Sequence, residues 1–209
     1  MTRRSKRTIS LGTILFFAVI ASGCTGGGGS ETTKVVEEAT PSANVETKEN
    51  AKIETAVVEP ASYATLLEVV AKHRGKVVVV DFWSTSCIPC MRELPKLVEL
   101  ADMHPEKVEC ISFNLDYIGL KKKPAEKYLG RVQEFLTEIQ SDITNFLSTD
   151  TDEFVIQQLE AGALPAVAMF NQSGELVKVL TDSNTGEDGL TYEGAVIPLI
   201  EQLISSDRN

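Results

Sequence analysis

The stretch Val77–Pro95, VVVVDFWSTSCIPCMRELP, decides the fold. Four valines followed by Asp81-Phe82-Trp83 form an almost continuously apolar, β-branched run, which suits a strand buried on both faces of a sheet. Ser84-Thr85-Ser86 ends it as a polar turn. Beyond the cysteines, Leu94, Leu97, Val98 and Ala101 recur at i, i+3, i+4 and i+7, which predicts a helix with one face on a core. Cys87, the first residue of Cys87-Ile88-Pro89-Cys90, therefore sits at or just before a helix N-terminus.

That placement has chemical consequences. Thiol–disulfide exchange needs a thiolate as attacker, and the free N–H groups and positive dipole end of a helix stabilise an anion there. Cys87 is the expected nucleophile, and Cys90, one helical turn further in, is the expected resolving thiol. Pro89 falls in the first turn, where a missing N–H costs little.

Outward from this stretch, Leu66, Leu67, Val69 and Val70 predict a helix over Ala61–His73, with Gly75 beyond its end. Val108–Phe113 reads as a strand, which completes a strand–helix–strand unit with a right-handed crossover. Leu129, Val132, Phe135, Leu136 and Ile139 mark another helix, Ile143–Phe146 a short strand, and Phe154, Val155 and Leu159 a further short helix. Gly162–Phe170 and Glu175–Leu180, joined through a turn containing Gly174, read as a hairpin, and Val196–Ile204 as a final helix.

Asp-Phe-Trp before a C-x-P-C pair, Leu164-Pro165 at the head of a late strand, a glycine hairpin and a last helix together resemble the thioredoxin fold. More narrowly, Cys87-Ile88-Pro89-Cys90 followed by Glu93-Leu94-Pro95 resembles the TlpA-like extracytoplasmic thiol–disulfide oxidoreductases. The resemblance implies an α/β domain with a central mixed sheet and helices on both faces. It assigns Cys87 as nucleophile, Cys90 as resolving thiol and Pro165 as a cis-proline beside the disulfide. Read from its residues alone, Pro165 is equally a strand-initial residue in trans. Asp81 matches a buried acid that accepts or relays the Cys90 proton, against the plainer reading of a hydrogen-bonded strand-end Asp. Trp83 matches a family aromatic near the site or is a core tryptophan; Glu93 is expected exposed, with at most an electrostatic influence, and Pro95 matches a helix kink. Ser86 and Ile88 depart from the aromatic and the Gly or Pro found in many relatives, which changes the surface offered to a partner.

Arg3, Arg4, Lys6 and Arg7 precede an apolar run to Ile20, the layout of a secretory signal over residues 1–23. Ala21-Ser22-Gly23-Cys24 resembles the lipobox of bacterial lipoproteins, with Ala21 where Leu is usual, and implies lipidation of Cys24; plain cleavage and an uncleaved anchor are the other readings. Residues 24–56 are rich in Gly, Glu, Thr and Ser and read as a disordered tether, leaving residues 57–209 as one domain on the periplasmic side of a membrane.

Loss of the four basic signal residues takes the net charge from −10 to −14, unsuited to nucleic acid. Lys121-Lys122-Lys123 reads as a solvated loop, and Cys110, in a strand, as an inert thiol. No G-x-G-x-x-G or phosphate loop is present, so no cofactor is expected. Protein disulfides are the expected substrates, with a membrane electron donor restoring the dithiol. The rivals are a metal site, for which zinc needs about four ligands while His73 ends a helix and His104 precedes Pro105 in a turn, and a non-catalytic adaptor.

Overall fold

The computed structural model describes residues 54–206. The expected signal, Cys24 and all of the tether but its last residues lie outside that range. Ala56, at the end of the expected tether, is buried: its N–H donates to Thr137 Oγ1 (3.0 Å), and its carbonyl accepts from Gln133 Nε2 (2.8 Å).

In chain order the elements are β1 (Glu59–Ala61), α1 (Tyr63–Lys72), β2 (Val77–Trp83), α2 (Ile88–Met103), β3 (Val108–Asn114), α3 (Leu129–Glu138), β4 (Thr144–Ser148), α4 (Asp152–Leu159), β5 (Ala166–Phe170), β6 (Leu176–Thr181) and α5 (Ile197–Ser206). The sheet order is β1-β4-β3-β2-β5-β6. The first four of these strands are mutually parallel, while β5 runs antiparallel to both β2 and β6. This is the central mixed sheet expected of a thioredoxin-like domain.

β2 is central, and all of its residues are buried. Alternate side chains go to opposite faces, as the pleat requires. Val77, Val79 and Trp83 pack with Leu94, Leu97, Val132 and Ile200 from α2, α3 and α5. Val78, Val80 and Phe82 pack with Leu66, Val70, Val155 and Leu159 from α1 and α4. Each such side chain contributes about 1.5–3 kcal/mol on burial, so this one strand anchors both half-cores.

Three local features depart from the sequence reading. The first helix begins at Tyr63 rather than Ala61, because Ser62 Oγ accepts from Thr65 N (3.1 Å) and caps it there. The preceding Glu59–Ala61 forms an edge strand on β4, where Pro60 is tolerated. A π-helical turn over Tyr192–Val196 comes before α5, and it brings Tyr192 into the core. The β5–β6 hairpin is as expected: Gly174 takes φ +79°, and Asn171 Oδ1 accepts from the N–H groups of Ser173 and Glu175, both at 3.0 Å.

Candidate active site

The turn that leaves β2 delivers Cys87 as the N-cap of α2, with Ile88 and Pro89 opening the helix. Cys87 and Cys90 are joined as a disulfide, with their Cα atoms 5.3 Å apart. Cys87 Sγ also accepts from Cys90 N at 3.3 Å, as a helix-capping side chain does. Cys90 is buried and Cys87 only partly so, which makes Cys87 the sulfur a partner can reach. Its sulfur stands at the positive end of α2, where an anion is stabilised.

The turn itself is held by Asp116, which sequence reasoning missed. Its carboxylate accepts five hydrogen bonds: from Ser84 Oγ (2.7 Å), Thr85 N (2.8 Å), Thr85 Oγ1 (2.7 Å), Asn114 Nδ2 (3.4 Å) and Arg131 Nε (2.7 Å). Cys87 N donates to Ser84 O (2.9 Å), so the cysteine is tied to the same anchor. The parallel register pairs Trp83 with Asn114, which sets Asp116 beside the turn after β2. The only sequence signal was an Asp just past the end of a buried strand.

Asp81 lies on the α2 face of β2 and is 3% exposed. Tyr192 Oη donates to its Oδ2 at 2.6 Å, and the carboxylate makes no hydrogen bond to either sulfur in the disulfide state. Burial raises its pKa to about 7; the Tyr192 hydrogen bond opposes that rise and the charge of Glu93 adds to it. Burial likewise raises the Tyr192 hydroxyl, helped by Asp81. Tyr192 is the second residue the sequence did not reveal.

Glu93 is not the exposed residue expected. Its side chain is 18% exposed, and Oε2 accepts from Tyr192 N at 3.2 Å, fastening the π-helical turn onto α2. The Leu164–Pro165 bond is cis, which resolves the open reading of Pro165, and the adjoining Ala166 pairs with Phe82 on β2. Trp83 is a core residue, its indole N–H donating to Ser112 Oγ (2.9 Å). Cys110 is a free buried thiol whose pKa is pushed up to about 12, first by burial and then by Glu109. His73 Nδ1 lies 3.3 Å from Glu109 Oε2 at the end of α1, and His104 caps α2. Among the described residues no group of three or more His, Cys, Asp or Glu is placed to hold a metal ion.

The Redoxin family model matches residues 48–194. The thiol-disulfide oxidoreductase ResA of Geobacillus kaustophilus (strain HTA426) is 30% identical over 117 residues, 56% of this chain and 60% of that protein. ResA of Bacillus subtilis (strain 168) is 28% identical over 114 residues, 54% of this chain and 56% of that protein. The chain thus matches about three fifths of the length of these relatives. Among solved structures, a putative thiol:disulfide interchange protein DsbE from Chlorobium tepidum superposes with a TM-score of 0.48 at 15% identity, over 65% of this chain and 84% of that one.

Proposed function

The chain belongs to the Redoxin family, and from that premise we propose that it is a thiol–disulfide oxidoreductase that reduces protein disulfides through Cys87 and Cys90. The observation that carries this reading is the accessible Cys87 sulfur at the N-terminus of α2, disulfide-bonded to a buried Cys90 one turn further in.

In the reducing direction, the Cys87 thiolate attacks one sulfur of the substrate disulfide. A mixed disulfide forms, and the other substrate sulfur leaves as a thiolate that takes up a proton. Cys90 then loses its proton and attacks Cys87 Sγ, releasing the second substrate thiol and forming the Cys87–Cys90 disulfide. Two electrons pass from the protein dithiol to the substrate. Asp81 is the group we assign to the Cys90 proton: a carboxyl with a pKa near 7 both takes and returns a proton at neutral pH. Pro165, beside β2 in the cis form, is assigned to presenting backbone to an extended substrate.

A dithiol donor must restore the reduced pair, and we place that donor in a membrane. The same reading makes residues 1–23 an export signal, Cys24 a lipidated anchor and residues 24–56 a tether, so that the domain works outside the cytoplasm. The basic residues, apolar run and Ala21-Ser22-Gly23-Cys24 of the sequence support it.

Equilibration of the protein in glutathione or dithiothreitol buffers tests the proposal. One two-electron transition is expected, near the thioredoxin value of about −270 mV. A value near −120 mV would reverse the direction and make the protein an oxidant. Cysteines that never form a disulfide would exclude exchange altogether.

A further inference from the structure

A groove of about 1330 Å3 begins at Cys87 and Leu164 and runs between the segment after β3 and the face of α4. It exceeds the roughly 300–1,000 Å3 of a typical small-molecule site. Its walls are fixed to one another. Asp152 N donates to Tyr117 O at 2.9 Å. Gly119, at φ +76°, comes so close to the cap of α4 that a Cβ there would meet Thr151 Cγ2 at 2.9 Å. The groove is therefore formed before anything enters it.

Its chemistry is uneven. Ile88, Ile118 and Leu120 line it while 74%, 51% and 51% exposed, an apolar surface left in water next to the reactive sulfur. On the α4 side stand Asp152, Glu153 and Glu160, none of them in an ion pair with another described residue. Opposite them, Arg131 is paired with Asp116, and Lys123 lies over the Tyr128 ring at 4.1 Å. The unpaired charge of the groove is thus mainly negative.

We infer that this groove docks an extended polypeptide segment that carries an apolar side chain and a lysine or arginine near its disulfide cysteine. The inference rests on the thiol–disulfide reading of Cys87. Continuity with that sulfur places the substrate cysteine at one end of the groove. Ile118 and Leu120 then cover the apolar side chain, and Glu153 and Glu160 meet the cation. A small anionic disulfide such as oxidised glutathione offers neither group and carries the wrong charge.

The test uses the full reduced chain and short peptides whose single cysteine is held as a mixed disulfide with 5-thio-2-nitrobenzoate, whose release is followed by absorbance. One peptide has Leu and Lys beside the cysteine, a second has Glu for Lys, and a third has Ser for Leu. A small neutral disulfide is reduced in parallel by the unmodified protein. The Lys peptide should react about fivefold faster than the Glu peptide at low salt, a gap that closes at high salt. It should react about tenfold faster than the Ser peptide at either salt. The variant E153K/E160K should abolish or invert the charge preference and keep the apolar one, while I118S/L120S should do the reverse. If the small disulfide is reduced but the three peptides react alike, the groove assignment is overturned and the chemistry stands. If the small disulfide is not reduced, the reading of Cys87 itself has failed. Equal peptide rates combined with concentration-dependent dimerisation that I118S/L120S removes would give the groove to a second copy, and would likewise overturn the inference.

Discussion

Asp116 and Asp81 are both buried carboxylates at the end of the sheet that carries Cys87, yet Asp116 accepts five hydrogen bonds whereas the side chain of Asp81 has one partner, Tyr192 Oη. Burial of a charge is tolerated when donors replace water, and it is opposed when they do not. Around Asp116 the donors come from the turn that bears Cys87 and from a guanidinium, so the carboxylate serves to hold a loop. Around Asp81 no cation is paired, the pKa rises to about 7, and the group is able to exchange a proton at neutral pH. Similar burial thus yields an anchor in one place and a titrating acid in the other.

Asn substitution should separate the two most sharply. In D81N the proton acceptor is gone, and the resolving step should slow about 100-fold at pH 8. The wild-type pH profile should show an apparent pKa near 7 that the variant lacks, read by stopped-flow tryptophan fluorescence. Stability should move the other way. The folded pKa of Asp81 lies above its reference value of 3.8, so wild-type stability from this group is complete below about pH 4 and is lost as pH rises towards 7. Oxidised D81N should therefore be more stable than oxidised wild type at pH 8, by on the order of 3 kcal/mol in denaturant titration, and equal to it below pH 4. A D81N variant less stable at pH 8 would show that the two carboxylates are alike.

D116A should be destabilised by about 3 kcal/mol in the same titrations, because Ser84 and Thr85 lose their acceptor. The Arg131 pair adds little of this, since the Arg131 side chain is 46% exposed. Hydrogen exchange should quicken at Thr85 and Cys87 before it does so in β2. The smallest effect belongs to Y192F, which should cost about 1–2 kcal/mol. Loss of its hydrogen bond removes what opposes the Asp81 rise, so the apparent pKa of the exchange profile should move upward. A downward move would contradict the assigned role of Tyr192.

The contrast also marks what the sequence could tell. β2 was legible because its composition and its burial on two faces agree, and the helix start at Cys87 because an apolar i, i+3, i+4 pattern follows the cysteine pair. Asp81 was singled out by the resemblance to the thioredoxin-like oxidoreductases, in which it matches a buried acid. Its partner Tyr192 was not, since the two are 111 positions apart and meet only when the π-helical turn folds onto α2. Glu93 was misread as exposed for the same reason: the segment that covers it comes from beyond β6. Asp116 was passed over because its function as an anchor lies in the turn it binds, which local periodicity does not report. β1 was hidden by its brevity and its proline.

The central claim is that Cys87 attacks and Cys90 resolves, and trapping tests it most directly. The variant C90S, incubated with a disulfide-bonded protein substrate and analysed by non-reducing mass spectrometry, should accumulate a mixed disulfide at Cys87, which wild type turns over. An adduct on Cys110, or none while C87S still reduces the substrate at the wild-type rate, would contradict the account.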